Sequence, residues 1–140
     1  MSDRESAHYF VVRYMYNELG DEAANIGVIV AGRDAKNVTY RFLDNLKEKD
    51  RADTQINAAV VADFRGWLER EVMALSHQYG AENWLGRFEE RLREKTGNVI
   101  HILGPRFVLT TNPRTEIDTL FKEWVSPRRG WEAQGNRAVR

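Results

Sequence analysis

The spacing of apolar positions changes period along the chain. His8-Tyr9-Phe10-Val11-Val12-Arg13-Tyr14-Met15-Tyr16 is rich in β-branched and aromatic residues and contains neither Gly nor Pro, which predicts a strand. Alternation places His8, Phe10, Val12, Tyr14 and Tyr16 on one face and Tyr9, Val11, Arg13 and Met15 on the other, with Arg13 the lone charge in the run. Beyond the turn-rich Asn17-Glu18-Leu19-Gly20-Asp21, the apolar segment Asn25–Ala31 predicts a second strand, paired antiparallel with the first. Gly27 inside it marks a bulge or a close backbone approach. The polar turn Gly32–Asn37 leads to Val38–Leu43, which alternates like a third, half-exposed strand and completes a meander.

From Asp44 to Asp53 the chain is a charge-rich connector, after which the period becomes helical. Ile56, Val60, Phe64, Trp67, Leu68, Val72 and Leu75 form one apolar stripe, predicting a helix over about 53–79 with Asp53 or Thr54 as N-cap and Gly80 at its end. A second helix is expected over 82–96, with Trp84, Leu85, Phe88 and Leu92 inward and Gly97 as its stop. Val99–Leu103 and Arg106–Leu109 are short apolar pieces separated by Gly104-Pro105, read as one interrupted strand or a tight hairpin. Asn112-Pro113 opens a third helix over 113–125, because a polar cap followed by proline satisfies a helix start; Ile117, Leu120, Phe121, Trp124 and Val125 share one face of it. The expected fold is α+β: a meander-based antiparallel sheet of three or four strands, with about three helices packed mainly on one face. It forms a single domain over 1–125, followed by a basic tail over 126–140 with little apolar surface to anchor it, expected to be flexible.

A chain of 140 residues with 42% hydrophobic and 30% charged residues is a folded globule of one domain. Lys+Arg and Asp+Glu balance at 21 each, which argues against a dedicated basic nucleic-acid scaffold or an acidic mimic. No apolar run is long enough to span a membrane and the first residues are too polar for a secretory signal, so a cytoplasmic location is expected, with no membrane partner. The absence of cysteine removes disulfides, thiolate nucleophiles and Cys-based zinc sites.

Candidate chemistry is sparse. His8, His77 and His101 sit in no nucleophile or metal motif, and the glycines form neither a dinucleotide fingerprint nor a phosphate loop. Asp34-Ala35-Lys36 has the acid-x-Lys form used by some metal-dependent nucleases, but it occupies a predicted hairpin turn where those residues are ordinary. The expectation is therefore no catalytic residue, no metal and no cofactor. The constellation that stands out is Arg13, Glu22 and Asn25, brought to one end of the sheet by antiparallel pairing. A guanidinium under covering helices requires an acceptor, and Glu22, at the entry of the second strand, is the nearest candidate. The group reads either as an ion pair that fixes the loop or as an anchor for a carboxylate, a phosphate or an acidic partner side chain.

The same residues carry a resemblance. Phe10-Val11-Val12-Arg13-Tyr14 followed by Glu22-Ala23-Ala24-Asn25-Ile26-Gly27-Val28-Ile29-Val30 is similar to the opening signature of the bacterial domain of unknown function 3037 family, x-V-R-Y and then E-x-x-N-x-G-V-V. Gly104-Pro105-Arg106, Leu109-Thr110-Thr111-Asn112-Pro113 and Glu116–Phe121 resemble its closing segment, with Asn112 where the family typically has Asp. The resemblance covers roughly 8–125. It implies a small partner or regulator, because family members are often encoded beside a kinase-like protein related to the HipA persistence toxins.

Three functional expectations result. The first is an interaction or regulatory module, antitoxin-like or accessory, with a protein partner; Arg106 is a candidate contact, as are Arg128, Arg129 and Trp131 in the tail. The alternative is a ligand-binding protein or enzyme with a polar pocket around Arg13, Glu22 and Asn25. The third is nucleic-acid binding through the basic tail.

Overall fold

The computed structural model describes residues 5–17, 22–32, 38–43, 57–78, 84–97 and 99–125. Strands β1 (Glu5–Asn17), β2 (Glu22–Ala31) and β3 (Val38–Phe42) form the expected meander. Helices α1 (Ala58–Gln78) and α2 (Trp84–Lys95) follow, then strand β4 (Ile100–Thr110) and helix α3 (Pro113–Trp124). All neighbours in the sheet are antiparallel, in the order β3-β2-β1-β4. The α+β architecture is thus the one the patterning predicts. The fourth strand is one element rather than a hairpin: both halves of β4 pair with β1, and its register shifts where Gly104-Pro105 passes Phe10.

The helices divide between the two faces. Phe10, Val12 and Tyr14 of β1 and Ile26, Ile29 and Phe42 of the meander join Phe64, Leu68, Leu75, Trp84, Phe88 and Leu92 of α1 and α2 in one core. Tyr9, Val11, Val28 and Val30 meet Ile117, Leu120, Phe121 and Val125 in a second core on the opposite face. The expectation of helices mainly on one face describes α1 and α2; α3 covers the other side, because both faces of β1 and β2 are apolar and each must be buried. Glu71 and Arg91 clasp α1 to α2 through two hydrogen bonds of 2.7 and 2.6 Å. On the far face Arg41 of β3 holds α3, lying 4.3 Å from the Phe121 ring centre and 2.7 Å from Asp118.

Helix α1 is capped by Asn57. Asn57 Oδ1 accepts from the amides of Ala59 and Val60, and the Asn57 amide donates to the Tyr14 hydroxyl at 3.0 Å. The described helix starts after Asn57, tied to the sheet by a tyrosine; the expected caps Asp53 and Thr54 lie outside the described residues. The expected stop at Gly80 lies outside them as well. At α3, Pro113 opens the helix and the Asn112 carbonyl accepts from Thr115 and Glu116, as the Asn-Pro pair predicts.

Two glycines interrupt the alternation. The register of β1 with β2 steps from Val12 opposite Gly27 to Arg13 opposite Asn25, which leaves Ile26 without a partner. Gly27 is required there because a Cβ would stand 2.6 Å from the Phe42 ring. Gly104, at φ 127°, makes the corresponding break in β4, where a Cβ would lie 2.9 Å from the Tyr9 carbonyl oxygen. Each break moves an odd-even pattern from one face to the other.

Candidate functional site

Those two bulges assemble a polar group on the α3 face. Ahead of the first, strict alternation from Val28 and Val30 would turn Asn25 toward α1; the extra residue turns it toward α3, beside Arg13. Past the second, Arg106 shares the face of Tyr9, whereas alternation from Ile102 would have sent it to the other side. His101 lies directly opposite Arg13 across the β1–β4 pair. The α3 face of β1 and β4 thus carries Arg13, His101 and Arg106, with Asn25 alongside on β2.

Asn25 organises the centre. Its Oδ1 accepts from Arg13 Nε at 3.1 Å, and its Nδ2 donates to the Trp124 carbonyl at 2.9 Å, at the last turn of α3. That second bond satisfies one of the helix-end carbonyls left without an intrahelical donor. Both ends of the amide are used, so the Arg13 guanidinium is fixed at Nε, while its two terminal nitrogens have no hydrogen-bond acceptor among the described residues. Trp124 links this centre to Arg106: its ring lies 5.1 Å below the Arg106 guanidinium and 6.4 Å from Tyr9. Its Nε1–H is buried without an acceptor among the described residues. Among those residues no carboxylate stands within 4.0 Å of Arg13 or Arg106, whereas Arg41 and Arg91 both have one.

The residues singled out in the sequence are distributed as follows. Arg13 and Asn25 are in contact, and Arg106 joins them through Trp124. The backbone register sets Glu22 opposite Asn17, away from the Arg13–Asn25 pair; the Glu22 side chain lies outside what is described. Arg128, Arg129 and Trp131 also lie outside the described residues, as does the Asp34-Ala35-Lys36 turn. Among the described residues no group of three or more His, Asp or Glu side chains is placed to hold a metal ion.

A second feature lies on the outer half of β4, which is an edge of the sheet. Phe107 and Leu109, both turned to the α1/α2 side, are 66% and 62% exposed although α2 packs only a few residues away. His8 anchors the inner side of this patch, 2.7 Å from Glu89 of α2 and edge-on to the Phe107 ring at 4.6 Å. Between α2 and the Gly104-Pro105 bulge is a small cleft of about 30 Å³ lined by Phe10, Glu89, Arg93 and Ile102, room for little more than one water.

The family described as "Protein of unknown function (DUF3037)" matches residues 9–125. The chain belongs to this family. The match takes in every described helix, both bulges and all the strands apart from the first four residues of β1, so it spans nearly the whole α+β unit seen here. No curated protein matches, and no solved structure does. No helix among the described residues of this DUF3037 member is long and apolar enough to cross a membrane.

Sequence reasoning missed Trp124 and His101 as members of the polar group. Trp124 reads as one more apolar position on α3, and only its carbonyl and ring contacts reveal the link. His101 alternates in an apolar strand, and its neighbour becomes known only with the β1–β4 register.

Proposed function

We propose that this DUF3037 member is a non-enzymatic interaction module that receives an extended segment of a protein partner along the outer edge of β4. The observation that carries this reading is the pair Phe107 and Leu109, two large apolar side chains more than half exposed on an edge strand. An edge presents unpaired N–H and C=O groups, and alternate side chains on a pairing strand then meet alternate pockets or patches. Pro105 removes one donor from the inner half of the strand, which directs pairing to residues 106–110. The partner implied by the family resemblance is a kinase-like protein related to the HipA toxins, with this chain in an accessory or antitoxin-like role.

Co-expression with a HipA-related kinase-like protein of the kind the family resemblance implies, followed by size-exclusion chromatography, tests the reading. A one-to-one complex that is lost in Phe107→Ser/Leu109→Ser supports it. Elution of the two proteins apart, or a complex indifferent to the double substitution, overturns it. A homodimer broken by the same change would assign the edge to a second copy instead.

A further inference from the structure

We propose that Arg13 and His101, with Asn25 as the positioning residue, form an oxyanion-binding site on the α3 face that takes a phosphate or a carboxylate group. The site is separate from the β4 edge: Phe107 and Leu109 face α2, whereas Arg13 and His101 are on the opposite side of the sheet.

Placing a half-buried guanidinium on a sheet costs hydration. Such a group is retained where its donors are used, as Arg41 and Arg91 use theirs on Asp118 and Glu71. Among the described residues Arg13 instead has a neutral amide oxygen, at Nε alone. Asn25 cannot swing away, because its amide nitrogen is held by the Trp124 carbonyl. The result is a guanidinium locked in rotation with its paired terminal donors presented as a fork, the geometry that two oxygens of a phosphate or carboxylate match. His101 stands across the strand pair with an imidazole that can donate to a third oxygen.

The surroundings have the same bias. Arg106 and the indole N–H of Trp124 are further donors on this face without a carboxylate or other acceptor among the described residues. Arg106 pairs with Tyr9, four residues along β1 from Arg13, so it stands roughly 13 Å from the centre. It contributes to the local positive potential rather than to the same pair of oxygens. A face with this excess of donors on a chain of zero formal net charge is a local, built asymmetry, not a consequence of overall basicity.

The test is a titration of the full chain followed by ¹H–¹⁵N NMR at constant ionic strength, with inorganic phosphate in one arm and succinate in the other. The proposal expects saturable shifts of the Arg13 Nε–H and of amides around Arg13 and His101 in at least one arm. Saturation by phosphate alone assigns a phosphate ligand, by succinate alone a carboxylate, and by both an unselective oxyanion site. Arg13→Gln should weaken binding about tenfold or more, and Arg13→Lys should retain a weaker site on a folded protein because charge survives while the fork is lost. Asn25→Ala should broaden the Arg13 Nε–H signal and weaken binding less than Arg13→Gln, as expected of a residue that acts through another. Absence of saturation in both arms overturns the proposal, as do shifts that persist in Arg13→Gln with its amide dispersion intact.

Discussion

The two faces of the sheet solve the same burial problem differently. On the α1/α2 face a continuous aromatic and aliphatic core runs from Tyr14 to Phe42, sealed by two helices, and its polar contacts lie at the margins as the His8–Glu89 and Arg91–Glu71 pairs. On the opposite face the described residues place one helix of 12 residues, α3, over β2 and β3, and its last turn reaches β1 through Asn25 and Trp124. Beyond that turn the sheet carries Arg13, His101 and Arg106. The face with more helix supplies stability; the face with less leaves room for polar groups that a sealed core would exclude. Segregation of this kind lets one small domain keep a well-packed interior and still present a charged surface.

Substitutions separate the roles of the faces. Phe88, fully buried between the helices and Phe10, should be the most costly site: Phe88→Ala is expected to destabilise by about 3–5 kcal/mol in urea unfolding, without altering anion titration. The bulges come next. Gly27→Ala drives a methyl group into the Phe42 ring and should cost about 1–3 kcal/mol, with the further effect of disturbing the Arg13–Asn25 contact. Gly104→Ala, strained by its φ of 127°, should cost a similar ~1–3 kcal/mol and displace Arg106. If either variant unfolds like the native chain, the bulge is not what fixes the polar face.

Smaller effects sharpen the contrast. Asn25→Ala removes the acceptor of Arg13 and the donor to the helix end, for an expected loss of about 1–2 kcal/mol by the same measurement. Phe107→Ser, on an exposed edge, should change stability in urea unfolding by no more than about 0.5 kcal/mol.

The smallest effect is a pH dependence on the α1/α2 face. Burial, reinforced by the charge of Glu69 and opposed by Arg65, raises the Tyr40 phenol above its ordinary 10.0. The folded state then keeps a proton that the unfolded chain loses, so the stabilising contribution is complete below pH 10 and declines as pH rises above it. Tyr40→Phe should flatten that decline in unfolding curves collected across this range.

Much of the fold is legible in the sequence, for identifiable reasons. The strands β1 to β3 are runs of β-branched and aromatic residues bounded by polar turns, and α3 announces itself by Asn112-Pro113 and an unbroken apolar stripe. The Asn57 cap of α1 was not legible, because it is tied to the Tyr14 hydroxyl, which is distant in sequence. Nor was the split of helices between faces, since an apolar stripe states that a helix is covered without stating by which side of a sheet. Of the candidate site, antiparallel pairing read in the sequence brings Arg13 and Asn25 to the same end of the sheet, but their contact depends on the bulge beside Gly27, whose place the partner strands set.

The sequence by itself determined that a lone arginine sits in an apolar strand, that glycines interrupt β2 and β4, and that local periods of two and 3.6 residues build strands and helices. Only the tertiary structure decided which face each polar residue occupies. The physical reason is that side-chain direction in a strand has a period of two, so one inserted residue reverses everything beyond it, and where the insertion falls is set by the partner strand. The Phe42 ring against Gly27 and the Tyr9 carbonyl against Gly104 mark those points, and together they turn Asn25 and Arg106 to the side of Arg13.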